Sequence, residues 1–191
     1  MTSISYTLFI IFNTLTLTLI LFSIPITSSN EDNFSENLLE TIISTRLMEK
    51  TTNLHFYFQD IVSGKNPTSV QIIGQGLGFG ATFMIDNALT EKPARDSRIL
   101  GRAQGMYSSA AQRDTALLMV VVFEFTQGKY NGSTISMLGR NHVFDDVREM
   151  PIVGGSGLFR FGRGYALAHT VWFDPKTGDA SVEYNVSIKH F

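Results

Sequence analysis

Three short stretches carry residue types able to do proton chemistry. In Leu54-His-Phe56-Tyr-Phe58-Gln-Asp60 the carboxylate shares strand parity with Leu54, Phe56 and Phe58, because alternate residues of a strand point to one face. If that face is the interior, Asp60 is a carboxylate beside aromatic walls. Desolvation then raises its pKa, and it can deliver or take a proton near neutral pH. The competing reading ends the strand before Asp60 and uses the carboxylate to cap the turn into Ser63-Gly64; pattern alone favours this second reading. The other two stretches are Arg102–Tyr107 (RAQGMY) and Arg148-Glu149-Met150-Pro151. Arg is always charged and donates from five N–H groups, so with Tyr it can hold phenolic oxygens or steady a developing phenolate or carbonyl. An ordinary Arg–Glu pair on an outer face explains the same letters, and spacing leaves both open.

Other chemistries are excluded by what is missing. The chain has 191 residues and no cysteine, which removes a disulfide scaffold, a thiolate zinc site, an iron–sulfur cluster and a cysteine nucleophile. Its 15 basic and 17 acidic side chains give a net charge of −2, so no basic surplus exists for a phosphate backbone and no nucleic-acid partner is expected. Gly74-Gln-Gly76-Leu-Gly78-Phe-Gly80 has Phe79 where a dinucleotide fingerprint needs its third glycine, and no helical pattern follows. Gly154-Gly-Ser156-Gly157 fails the nucleophile elbow, because position 158 is Leu. His55, His142, His169 and His190 form no i, i+4 pair, so neither a metal nor a cofactor is expected.

Strands must position whatever remains. From Leu54 onward the pattern is two-residue alternation broken by Gly and Pro. It is plainest where Val182, Tyr184, Val186 and Ile188 alternate with Ser181, Glu183, Asn185, Ser187 and Lys189. The preceding Asp174-Pro-Lys-Thr-Gly178-Asp is turn chemistry. Ala116–Thr126 is a long apolar run, followed by the turn Gln127–Gly132 and a returning strand Ser133–Leu138. Further strands are expected at Leu54–Val62, Phe79–Ile85, Arg98–Ser108, Arg148–Val153 and Arg160–Phe173. Seven or eight short strands without a βαβ rhythm predict an all-β domain, and closure into a barrel hides the edges. A barrel of about eight strands can hold one small ligand. Fifteen Phe and 6 Tyr against one Trp supply the rings to wall it. Ala116–Phe125 is apolar on both parities, so its outer residues are expected to face subunit neighbours.

The N-terminus differs. No Asp, Glu, Lys, Arg or His occurs before Glu31, and Tyr6–Ile26 is mostly apolar with small residues after it. A signal peptide over 1–29 is the expectation, and a membrane anchor over Tyr6–Ile26 is the alternative. Residues 30–53 read as a flexible or short helical arm and 54–191 as the barrel. Secretion gives meaning to the sequons at Asn33, Asn131 and Asn185; Asn66-Pro-Thr68 is disqualified by its proline.

Leu54–Gly64 (LHFYFQDIVSG), Gly101–Tyr107 (GRAQGMY), Tyr130–Leu138 (YNGSTISML), Val147–Tyr165 (VREMPIVGGSGLFRFGRGY) and Gly178–Val186 (GDASVEYNV) together resemble the plant dirigent protein family, in order and at family spacing. The resemblance covers Leu54 to Phe191. It implies a secreted, closed eight-stranded antiparallel barrel with a central ligand cavity, typically trimeric, in the apoplast of plant cell walls. It implies no oxidative centre and no membrane association once the signal is removed. One group of the family fixes the face on which phenoxy radicals, made by an external laccase or peroxidase, couple. A second group, the pterocarpan synthases, expels water from an isoflavanol through a quinone methide. A third possibility is a non-catalytic barrel that binds phenolics.

Carried over by position, Asp60 is the strand-one acid, Tyr107 the lumenal tyrosine and Arg148 the arginine ahead of the Gly-rich turn. Phe56 and Phe58 then become candidate substrate walls. The family pattern has a histidine before the aspartate where this chain has Gln59. Lignan-forming members carry a second tyrosine at the position of Ser109 and a second acid at that of Asn141, which makes both candidate substrate contacts. These departures count against pinoresinol-type coupling, and the stretch VREMPIVGGSGLFRF is more similar to the non-lignan branch that includes pterocarpan synthases. Asp145 and Asp146 are either a compensating carboxylate or solvated loop residues.

Overall fold

A computed structural model describes residues 48–191, so the expected signal peptide, most of the expected arm and the Asn33 sequon lie outside the described residues. Nine strands follow in order: β1 Lys50–Asp60, β2 Ser69–Ile73, β3 Thr82–Thr90, β4 Ile99–Ser109, β5 Ala116–Phe125, β6 Thr134–His142, β7 Arg148–Ser156, β8 Arg163–Phe173 and β9 Ala180–His190. From β3 to β9 each strand pairs antiparallel with the next. β9 pairs with β1 along its whole length, from Lys50↔His190 to Asp60↔Ala180, and β1 closes the ring onto β3 through Tyr57↔Thr90 to Gln59↔Ala88. The ring is therefore a closed eight-stranded antiparallel barrel, as expected, and β2 is an additional short strand that follows β1 along the same edge of β3.

The expected strands are all present with ends shifted by a few residues, and two of these shifts, at β1 and β3, have a local physical reason. β1 begins at Lys50, so the last four residues of the expected arm belong to the barrel. They carry no apolar alternation and are held by pairing with Ser187–His190. The strand expected at Phe79–Ile85 runs instead over Thr82–Thr90, because Gly74, Gly76 and Gly80 all have positive φ and keep the approach to it in turns. β2 itself escaped the pattern because its phase is inverted. Ser69 is buried and Gln71 half-buried, whereas Val70 and Ile72 point outward and are exposed.

Alternation fills the interior with rings. Phe56 meets Phe123 at 5.2 Å and stacks on Tyr184 at 5.8 Å between centroids. Phe125 meets Phe159 at 5.9 Å. Phe159 sits in the 3-10 turn Gly157–Phe159 between β7 and β8 and is wholly buried, with Tyr130 and His190 against it. It plugs one end of the barrel, each enclosed ring contributing about 1.5–3 kcal/mol. The opposite end receives the C-termini of β1, β4, β6 and β8 and the N-termini of β3, β5, β7 and β9, and the polar side chains collect there.

Candidate functional site

Asp60 continues the inward parity of Phe56 and Phe58 and lies inside the barrel wall. The turn after it is capped by a different acid: the Asp179 carboxylate accepts the Val62 and Ser63 N–H groups, both at 2.9 Å. Asp60 is thereby left to the lumen. Its carboxyl accepts hydrogen bonds from the Ser69 hydroxyl and from Asn87 Nδ2, the latter at 3.1 Å, and the Tyr107 hydroxyl is near enough for the two groups to influence each other's ionisation. Burial pushes the pKa of Asp60 up, against the lowering effect of its donors Ser69, Asn87 and Tyr107, with a small further rise from the charge of Asp179. Burial and then the nearby Asp60 charge likewise push the Tyr107 phenol up. Whenever the Asp60 carboxyl carries its proton, it and the Tyr107 phenol form a hydrogen-bond donor pair.

Parity separates the Arg102–Tyr107 stretch into two roles. Tyr107 points in and stacks on Phe83 at 5.1 Å. Arg102 points out and pairs with Asp86 at 2.8 Å. Arg148 is buried, whereas its neighbour Glu149 is exposed, so the two are not a surface pair. The guanidinium donates to Asn141 Oδ1 at 3.1 Å, Thr170 Oγ1 at 2.9 Å and the Asp145 carbonyl at 3.4 Å. Burial lowers its pKa, yet an arginine starts so high that it stays charged. Tyr184 feels the charges of both Asp60 and Arg148, while burial drives its own phenol up.

Asp60 and Tyr107 are thus brought together, and Arg148 and Asn141 form a second cluster, with Tyr184 in electrostatic reach of both. Ser109 is half-buried on the face of Tyr107, at the end of β4. Phe58 packs against Tyr184 at 6.0 Å. Phe56 is sealed among Phe123, Phe125 and Tyr184 and belongs to the core beneath the polar groups. Gln59 faces away from the lumen, where its amide donates to Thr90 Oγ1 at 2.9 Å and the Pro93 carbonyl at 3.1 Å. That departure from the family pattern therefore leaves the lumen unchanged. Sequence reasoning missed Ser69, Asn87, Thr170 and Tyr184. Of these only Tyr184 had a signal, its inward parity in β9.

Asp145 and Asp146 supply no lumenal carboxylate. Asp145 holds His142 Nδ1 at 2.7 Å and Asp146 holds His169 at 3.1 Å, both on the surface. His142 also meets Asp114 at 2.5 Å, and its pKa is raised by Asp145 first and then Asp114. What this cluster adds to holding the 143–147 loop is complete below the ordinary imidazole value and is lost as pH rises through the raised one. His142 is expected to titrate above free histidine by NMR, and Asp145→Asn to bring its midpoint down. An unchanged midpoint in that variant would contradict the pairing.

The model of the dirigent-like protein family matches residues 51–189. The chain belongs to the dirigent-like protein family. Among its relatives, Dirigent protein 23 of Arabidopsis thaliana is 54% identical over 149 residues, covering 74% of this chain and 79% of that protein. Pterocarpan synthase 1 of Glycine max is 44% identical over 165 residues, covering 83% and 88%. The solved structure of the pterocarpan synthase dirigent protein GePTS1 is similar at a TM-score of 0.74 and 45% identity, covering 78% of this dirigent-like chain and 94% of that one.

Proposed function

We propose that this dirigent-like protein steers the coupling of phenoxy radicals, binding the radicals or the quinone methides they form at the Asp60 end of the barrel. The observation that carries this reading is a carboxyl with raised pKa, set among rings and beside a neutral phenol. An external laccase or peroxidase removes one electron and one proton from each phenol. Two radicals then share their electrons in one new carbon–carbon bond, giving a bis-quinone methide. Asp60 gives its proton to the quinone-methide carbonyl oxygen while a substrate hydroxyl adds to the methide carbon and returns a proton, so the carboxyl is regenerated. Arg148 and Tyr107 orient the phenolic oxygens.

A second reading, a dehydratase, is favoured by the 44% and 45% identity to pterocarpan synthases. There Asp60 protonates the leaving hydroxyl of an isoflavanol, the carbon–oxygen bond breaks and water departs. The phenolic proton passes back to Asp60 and leaves a quinone methide; a second phenol then adds to the methide carbon while its proton goes to the quinone oxygen, and the net change is one water expelled. A chiral product assay separates the readings. Optically active dimers from a monolignol and a one-electron oxidant support the first; accelerated dehydration of an isoflavanol without oxidant supports the second. Racemic dimers throughout and no dehydration would leave a barrel that only binds phenolics.

The same reading makes the mature chain a secreted apoplastic protein, and the exposure of Asn131 and Asn185 suits glycan attachment. It also makes the protein a trimer. Met84, Met106, Val120 and Leu138 form one cross-strand row over β3–β6, flanked by Leu118 and Val122, and all six side chains are exposed on the outer wall. A contiguous apolar patch of this kind suits a subunit contact. Val120→Lys is expected to turn a trimer into a monomer in light scattering, and a wild-type monomer at micromolar concentration would overturn the assembly.

A further inference from the structure

Asp179 lies in the turn between β8 and β9, beside the Asp60↔Ala180 pair, and lines an outer groove with Gln59, Arg95, Trp172 and Ser181. Its carboxylate is almost wholly buried. One oxygen takes the Val62 and Ser63 N–H groups; the other takes the Ser63 hydroxyl at 2.8 Å and Arg95 Nη2 at 3.1 Å. Arg95 is itself held over the Trp172 ring at 4.8 Å. The fixed turn matters for the lumen because its next residues return to Asp60. The Thr68 and Ser69 N–H groups both donate to the Ile61 carbonyl, at 2.8 and 2.9 Å, and this delivers the Ser69 hydroxyl to the Asp60 carboxyl.

We propose that Asp179, balanced by Arg95, is a positioning residue that sets the place and the charge environment of the lumenal carboxyl from the outer side of the barrel wall. The inference rests on the proton-transfer role given to Asp60 above. Two features of Asp179 contribute. As an acceptor it fixes the turn that carries both Asp60 and its donor. As a charge it opposes ionisation of Asp60, adding to the dominant effect of burial. The titratable groups facing Asp60 are Tyr107 from β4, Tyr184 from β9 and Asp179. Both phenols are neutral, so Asp179 is the permanent charge among them, and Arg95 is the cation that offsets it.

The test follows the Asp60 carboxyl by carbon-13 NMR in the full chain, with Asp60→Asn as the blank that assigns the signal. An Asn at 179 retains an oxygen for Val62 and Ser63 but loses the charge, so Asp179→Asn is expected to move the Asp60 midpoint down. Arg95→Gln uncovers the charge of Asp179 and is expected to move it up. Opposite movements support the clamp, and a midpoint unmoved in Arg95→Gln overturns it even if Asp179→Asn fails to fold. The pH profile of product formation is read alongside. If the midpoints move and the profile does not, the clamp stands and the proton-transfer role of Asp60 falls.

Discussion

Asp60→Asn is expected to lower the rate of stereoselective product formation about 10²–10⁴-fold, the usual contribution of a positioned acid or base. Asn keeps the size and one oxygen for Ser69 and Asn87, so the barrel is retained while the transferable proton is lost. The same variant makes an independent prediction about stability. Burial raises the pKa of Asp60, so the folded state binds its proton more tightly than the unfolded chain. The stability from that preference is complete below the ordinary aspartate value and is lost as pH rises through the raised one. Asn stays neutral throughout. The variant is therefore expected to melt higher than wild type near neutral pH, with the gap closing under acid. Loss of activity with gain in stability is the behaviour of a site kept for function. Equal melting temperatures at neutral and acid pH, with full activity, would remove Asp60 from the mechanism.

Gly105→Ala is expected to cost about 3–4 kcal/mol, several times a typical surface change, and to lower the melting temperature by roughly 10 °C. Gly105 has φ of +145° and a Cβ there would stand 2.1 Å from the Val120 carbonyl oxygen. Strain at positive φ and a backbone clash coincide, so β4 and β5 must separate. Tyr107 follows two residues later on the same strand, and activity is expected to fall with stability. Gly76→Ala is the control. Its φ of +66° is also positive, yet no atom lies within 4 Å of the added carbon, and the expected cost is about 1 kcal/mol. Similar melting curves for the two variants would show that close approach of the strands is not what position 105 requires.

Much of the barrel was legible because strand alternation is a local property. The Val182–Ile188 alternation specified β9, the turn Asp174–Asp179 specified where it began, and the apolar run Ala116–Thr126 specified β5 to within one residue at its end. β2 was not legible, because a strand whose polar side faces inward reverses the phase that marks a buried face. The inward direction of Asp60 followed from the parity of Phe56 and Phe58 only if the strand continued. Turn propensity argued otherwise, since Asp is an ordinary turn cap.

The decision came from a residue more than a hundred positions away. Asp179 caps the turn after β1, so Asp60 does not have to. By itself the sequence determined the strand class, the ring-rich interior and the residues capable of proton chemistry, because alternation and side-chain type are written residue by residue. Only the tertiary structure decided which carboxylate faces the lumen, which donors meet it and that Arg148 rather than Glu149 is the residue turned inward. Those facts depend on closure of the barrel and on register between distant strands, where each hydrogen bond joins segments with no pattern in common.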